Sequence, residues 1–174
     1  MNEPSIVRAA QRGDLLAIDA LLDTLAPYVG QICGTIALDD GPDAAQEALI
    51  QILRDIGQLR SPEALRGWAR RIATREAIRH ARKARRLQPL PDGFEPSSTP
   101  VPEAAADIER ILRELEPEQR AILILRDLDG LSEREAAEQL GVALGTVKSR
   151  LHRARTAFTR LWHADEPQRK GTDG

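Results

Sequence analysis

The chain has 174 residues, 41% hydrophobic, 30% charged and only 3% aromatic, with a formal net charge of −2. That length allows one domain or two small ones, and near-neutrality excludes a protein drawn to nucleic acid by its overall field. One cysteine, Cys33, excludes an internal disulfide, and no apolar run approaches the roughly 18 residues of a membrane span.

Charge is distributed unevenly along the chain. Residues 1–59 carry three bases and nine acids, whereas residues 60–86 carry ten bases and two acids. Cys33 has no neighbours at metal-ligand spacing and is expected as a small buried residue in a reducing compartment. The N-terminus lacks a signal-peptide pattern, so a cytoplasmic protein is expected.

Strand signals are nearly absent and apolar residues recur at helical spacing, which predicts an all-α fold. Gly13-Asp14 breaks a first helix, and Asp14 can cap a second that runs through Leu21, Leu25 and Val29 toward Ile36. Asp39-Asp40-Gly41-Pro42 reads as a turn. A third helix is predicted from about Asp43 to Ile56, with Leu49, Ile52, Leu53 and Ile56 inward. Gly57 to Pro62 reads as a loop, with Ser61 as cap and Pro62 at the first helical position. A fourth helix follows to about Arg86, with Leu65, Trp68, Ile72 and an alanine stripe inward and His80 on a solvated basic face. Residues 87–103 hold five prolines, one glycine, three acids and no base, the composition of an extended linker.

The predicted organisation is therefore two small helical domains, 1–86 and 104–163, joined by a Pro-rich linker over 87–103 and followed by a frayed tail, 164–174. In the second domain helices are predicted near 104–115, 117–128, 132–140 and 143–162. Glu116-Pro117 opens one of them and Asp129-Gly130 closes it.

The window 131–155, LSEREAAEQLGVALGTVKSRLHRAR, carries the strongest functional signal. Ser132 and Glu135 have capping-box spacing, Gly141 supplies a turn that Val142 plugs, and Val147, Leu151, Ala154 and Phe158 share an inward face. The outward side holds Thr146, Lys148, Ser149, His152, Arg153 and Arg155. Residues 141–163 carry five bases and no acid, against ten acids and five bases over 104–140. This is a helix-turn-helix whose second helix suits a major groove. Lys148, Ser149, His152 and Arg153 can reach base edges, while Arg150 and Arg155 lie nearer the flanks, where phosphates would be met.

That window, with the preceding EPEQRAILILRDLDG, resembles region 4 of the extracytoplasmic-function (group IV) sigma factors of bacterial RNA polymerase. DAAQEALIQILRDI, from Asp43, is similar to the helix of region 2 that binds the polymerase clamp, and GWARRIATREAIRHARKARR, from Gly67, to its −10 helix. The resemblance spans about residues 5–162 and includes the two-domain layout.

It implies a promoter-specificity subunit that reads the −35 element by the helix-turn-helix and the −10 element by the basic helix. It further implies core-polymerase contacts at Asp43, Gln46, Glu47, Ile50 and Arg54, and −10 contacts at Arg60, Ser61, Arg66, Arg71, Arg75 and Arg79. A flipped base would be received by the loop 57–62. The implied partners are core polymerase (clamp of the β′ subunit, flap of the β subunit), double- and single-stranded promoter DNA and an anti-sigma factor, with a monomeric free protein and no cofactor. The family often has Asn at the position of Arg75 and Asp or Asn at that of Arg79, and aromatics where Ala48, Leu49 and Ile52 stand. The −10 preference therefore does not follow from the resemblance.

Other readings stay open on the residues alone. The face from Asp43 also fits an ordinary solvated surface, and the acidic linker fits a tether as well as a nucleic-acid mimic threading a basic channel. A stand-alone operator-binding regulator would share the helix-turn-helix but leaves the basic helix unemployed. An enzyme finds little support: His80, His152 and His163 stand singly, Cys33 has no partner base, and no Gly-rich phosphate loop occurs.

Overall fold

The computed structural model describes residues 3–87 and 103–164, and every described element is helical. Contacts divide the chain into two units, Met1–Ala84 and Arg85–Gly174. The expected linker lies outside the described residues apart from its ends, Leu87 and Glu103, which are helical, as does the expected tail beyond Ala164.

The first unit contains α1 (Glu3–Gln11), α2 (Leu15–Ala37), α3 (Gly41–Asp55) and α4 (Leu65–Leu87) up to Ala84, the last three residues of α4 lying past the boundary. Asp14 caps α2 as its sequence position predicts, its Oδ1 accepting from the amides of Leu16 and Ala17 at 3.0 and 3.1 Å. Val7, Leu21, Leu25, Val29, Ile36, Ile52 and Leu65 are the large side chains at the centre of this core. The expectation that no segment is apolar enough to cross a membrane is corrected here: Leu15–Gln58 contains a window that qualifies by length and composition. In the structure one face of that stretch is spent on the unit's own core. Cys33 is buried at the α2–α4 seam, where its thiol donates to the carbonyl of Ala73 at 3.6 Å. Burial pushes the thiol pKa up to about 12, so it stays protonated and unreactive.

The predicted turn at 39–42 is instead one 3-10 turn, Leu38–Asp40, running directly into α3 at Gly41. The buried stripe of α3 is Gly41, Ala44, Ala48 and Ile52, so the expected inward Leu49 and Leu53 are only half-buried. Small residues take the first three positions of that stripe because α2 and α3 approach very closely at Gly41 and Gly34. A Cβ on Gly41 would lie 2.6 Å from the Cα of Gly34. Ser61 does not cap α4: its hydroxyl donates to the Glu63 carboxylate at 2.8 Å, and Pro62 opens a short 3-10 turn, Pro62–Ala64. Trp68 is half-buried rather than core. His80 departs further from expectation, with its side chain only 12% exposed and its Nε2 3.3 Å from Glu47 Oε1.

The second unit contains α5 (Glu103–Glu114), α6 (Pro117–Leu123), α7 (Glu133–Leu140) and α8 (Leu144–Ala164). Periodicity predicts one helix over 117–128, but its last turn, Ile124–Leu128, is a π-turn, with the Asp129 amide reaching back to Ile124. Gly130, at φ 68°, then ends it. Arg120, 3% exposed, stitches α6 to the end of α5 by donating to the carbonyls of Leu112 and Leu115 at 2.8 and 2.9 Å. Burial pushes its pKa down to about 10, still charged at neutral pH. Ile122, Leu125, Leu131, Ala136, Ala137, Val147, Leu151 and Ala154 form the core beneath α7 and α8, with Val142 packed against it.

Candidate nucleic-acid interfaces

The helix-turn-helix is built as its sequence dictates. The Ser132 amide donates to Glu135 Oε2 at 2.7 Å and the Glu135 amide to Ser132 Oγ at 3.2 Å, which satisfies two otherwise open donors at the start of α7. Gly141 ends α7 at φ 64°, ψ 37°, a left-handed geometry that glycine adopts without Cβ strain. Val147, Leu151 and Ala154 are buried as expected, while Phe158 is only half-buried and stacks on Trp162 at 6.2 Å.

With that face inward, Lys148, Ser149, His152, Arg153 and Arg155 are exposed, and Thr146 and Arg150 half-exposed. By helical geometry Ser149, His152 and Arg153 form the ridge most nearly opposite the core, whereas Lys148 and Arg155, seven residues apart, share one flank. That flank meets acids. Arg155 makes a two-point contact with the carboxylate of Asp127 in the π-turn, and Lys148 Nζ lies 4.0 Å from Glu133 Oε2. The Asp127 hydrogen bonds hold the Arg155 guanidinium above its usual pKa. Arg153 instead donates to its own helix, to the carbonyl of Ser149 at 3.3 Å. The flank pairing escaped the sequence reading because Asp127 and Arg155 are 28 residues apart.

In the first unit, α4 presents Arg71, Arg75 and Arg79 at intervals of four, all exposed and all on one side. Arg66 is also exposed, 3.7 Å from Glu3 and over the ring of Tyr28 at 5.9 Å. Arg75 Nε lies 3.5 Å from Glu76. Arg79 is held twice, by Glu76 at 2.7 Å and by Glu47 of α3, and both carboxylates raise its pKa. Arg60 and Ser61 are exposed between the buried Leu59 and Pro62.

On α3, Asp43, Gln46, Glu47, Ile50 and Arg54 recur at intervals of three and four and are all exposed, so they share one face. Ile50 is an apolar patch within it, at 49% exposure. Ala48 and Ile52, the positions compared with family aromatics, are fully buried and belong to the core instead. Glu47 joins this face to α4, and its pKa is lowered chiefly by the hydrogen bond from Arg79, with His80 adding to the effect. Among the described residues no group of His, Cys, Asp or Glu could hold a metal ion.

Two helical units, one carrying a helix-turn-helix with an exposed polar and cationic ridge, define the class of protein. Comparison with known proteins places it more closely. Residues 19–87 match the description Sigma-70 region 2, and residues 105–158 match Sigma-70, region 4. The ECF RNA polymerase sigma factor SigE of Mycolicibacterium smegmatis is 37% identical over 127 residues, covering 67% of this chain and 49% of that protein. The chain thus spans about half the length of that relative. RNA polymerase sigma factor SigV of Bacillus subtilis is 32% identical over 119 residues, covering 67% of this chain and 72% of that protein. A solved structure of the sigma factor RpoE with the anti-sigma factor NepR from Bartonella quintana shares the fold. Its TM-score is 0.65 at 24% identity, and the match covers 85% of this chain and 98% of that one. The chain belongs to the sigma-70 family of RNA polymerase sigma factors, in its extracytoplasmic-function group.

Proposed function

We propose that the protein is a promoter-specificity subunit of RNA polymerase, without catalytic activity of its own, acting in the cytoplasm and monomeric when free. The observation that carries this reading is the order of regions 2 and 4 along one chain, with a cationic helix in the first and a helix-turn-helix in the second. Residues 1–86 would bind core polymerase and the −10 element, 87–103 connect, 104–163 read the −35 element, and 164–174 form a tail. The α3 face of Asp43, Gln46, Glu47, Ile50 and Arg54 would meet the clamp of the β′ subunit, with the β flap as a second polymerase contact. The solved relative in complex with NepR supports an anti-sigma factor as a further partner.

Promoter opening needs a double-strand reader, a single-strand trap and attachment to polymerase. The ridge of Ser149, His152 and Arg153 supplies hydrogen-bonding groups for base edges, and Thr146, Lys148, Arg150 and Arg155 supply flanking contacts. Arg60, Ser61, Arg66, Arg71, Arg75 and Arg79 supply cations and a hydroxyl for the melted strand. With core polymerase the protein is expected to form specific open complexes, detected by permanganate reactivity of thymines near −10, while binding promoter DNA weakly alone. Tight sequence-specific binding as a dimer without polymerase would replace this reading with the operator-binding regulator.

The −35 side separates readers from flanks. Arg153→Ala should cost about 1–3 kcal/mol on the preferred site and relax the preference at one position. Arg155→Ala should weaken all sequences alike and flatten the dependence of log affinity on log salt by about 0.9, one phosphate contact. Titrations of a −35 library at several salt concentrations check both. An unchanged slope in Arg155→Ala would remove Arg155 from the phosphate contacts.

A further inference from the structure

Helix α1 precedes the residues that match region 2, which begin at 19, and nothing above gives it a function. It is nonetheless the support of the loop between α3 and α4. Gln11, its last residue, donates from one side-chain amide nitrogen to two carbonyls, those of Ile56 at 3.0 Å and Leu59 at 2.8 Å. The Leu59 amide closes the same turn on the Ile56 carbonyl at 3.1 Å. Leu59 and Pro62 are buried, so only Arg60 and Ser61 stand out between two anchored ends. On the downstream side Arg8 of α1 lies 3.9 Å from Glu63, the carboxylate that accepts from Ser61 Oγ. The two exposed residues are thus held from both sides by one helix, with Gln11 as the fixed point.

We infer that Gln11 is a positioning residue for promoter melting: it sets the backbone from which Arg60 and Ser61 receive an unpaired base, and α1 is part of the −10 apparatus. This rests on the −10 reading proposed above. A base extruded from the stack costs a few kcal/mol, and a loop already held in place adds no ordering cost at that moment. Both hydrogens of the Gln11 amide nitrogen point at carbonyls, so the requirement is for a donor and not for a polar side chain in general.

Gln11→Glu, Gln11→Met and Gln11→Lys in the full chain, assembled with core polymerase, test this. Glutamate sets an acceptor against two acceptors, methionine keeps the length without the donor, and lysine keeps the donor. The readout is opening of duplex promoters carrying 2-aminopurine at successive −10 positions, with all four natural bases compared at the position that responds. The Glu and Met variants, which lose both hydrogen bonds, are expected to open more slowly by about tenfold or more and to discriminate less among the four bases. Lysine is expected to restore most of both, and closed-complex affinity to stay unchanged in all three. Amide hydrogen exchange over 57–61 in the free protein should quicken about tenfold in the Met variant while the rest of the first unit keeps its protection, which settles the structural half even if Gln11→Glu does not fold. Parental opening and discrimination in the Gln11 variants, beside a loss of discrimination in Arg60→Ala/Ser61→Ala, overturns the role of Gln11 alone. Parental discrimination in Arg60→Ala/Ser61→Ala overturns the loop reading and this inference together.

Discussion

Replacing Arg71 and Arg75 together by alanine is expected to slow the opening of duplex promoters by about two orders of magnitude or more while leaving the closed complex largely intact. Each charge-assisted contact to phosphate is worth about 1.5–3 kcal/mol, so two lost contacts amount to about 3–6 kcal/mol, a hundredfold or greater effect. The α3 face and the helix-turn-helix are untouched by the change, and both side chains are exposed, so the fold should tolerate it. A premelted bubble template should rescue much of the loss, because the unstacking cost is already met there. Permanganate footprinting on duplex and bubble templates decides it, and parental opening by the double variant would make the cationic row of α4 a solvated surface. Arg79 is a poorer choice for this test than its exposed spacing suggests. It is bound to Glu76 and Glu47, so Arg79→Ala would also loosen the tie between α3 and α4.

The first unit should be broken by the smallest of core substitutions. Gly41→Ala would place a Cβ 2.6 Å from the Cα of Gly34 and 3.0 Å from its nitrogen, backbone atoms that cannot rotate away. Overpacking of this kind costs about 3 kcal/mol, which for a unit of this size lowers the melting temperature by roughly 10–20 °C. Gly30→Ala, four residues before Gly34 in α2, meets nothing within 4 Å and is expected to do the reverse. It should stabilise by about 0.5–1 kcal/mol through helix propensity. Thermal denaturation of both variants, followed by circular dichroism, measures the contrast. Equal melting temperatures would mean that α2 and α3 can separate without cost.

The carboxylates add a pH dependence of known sign. The Glu47 pKa is depressed in the folded state, chiefly by the Arg79 hydrogen bond. Its contribution is present above the ordinary carboxylate range and is lost as pH falls through the lowered value. The α3–α4 tie should therefore open only in acid, below the range where isolated glutamates have already protonated.

Local chemistry made much of this protein legible in its residues. Ser132 and Glu135, three apart, build their capping box from neighbours only; Asp14 caps α2 in the same way, and Gly141 takes the one backbone conformation that its lack of a Cβ favours. The apolar spacing of Val147, Leu151 and Ala154 decides which side of α8 is buried and so which side can meet DNA. These depend on interactions within a few residues, which sequence order encodes directly.

What the residues alone could not show depends on partners distant in the chain. Glu47 meets Arg79 and His80 across 32 and 33 positions, Arg155 meets Asp127 across 28, and Gln11 meets the loop carbonyls across 45 and 48. The buried stripe of α3 falls on Gly41, Ala44 and Ala48 because Gly34 of α2 lets the two backbones approach. Helical periodicity defines a face but not the distance to its neighbour. Close approach rewards small side chains there and displaces the larger leucines to the margin. Exposed charges follow the same logic: spacing places a guanidinium on a surface, and only the tertiary fold decides whether a carboxylate from another helix already occupies it.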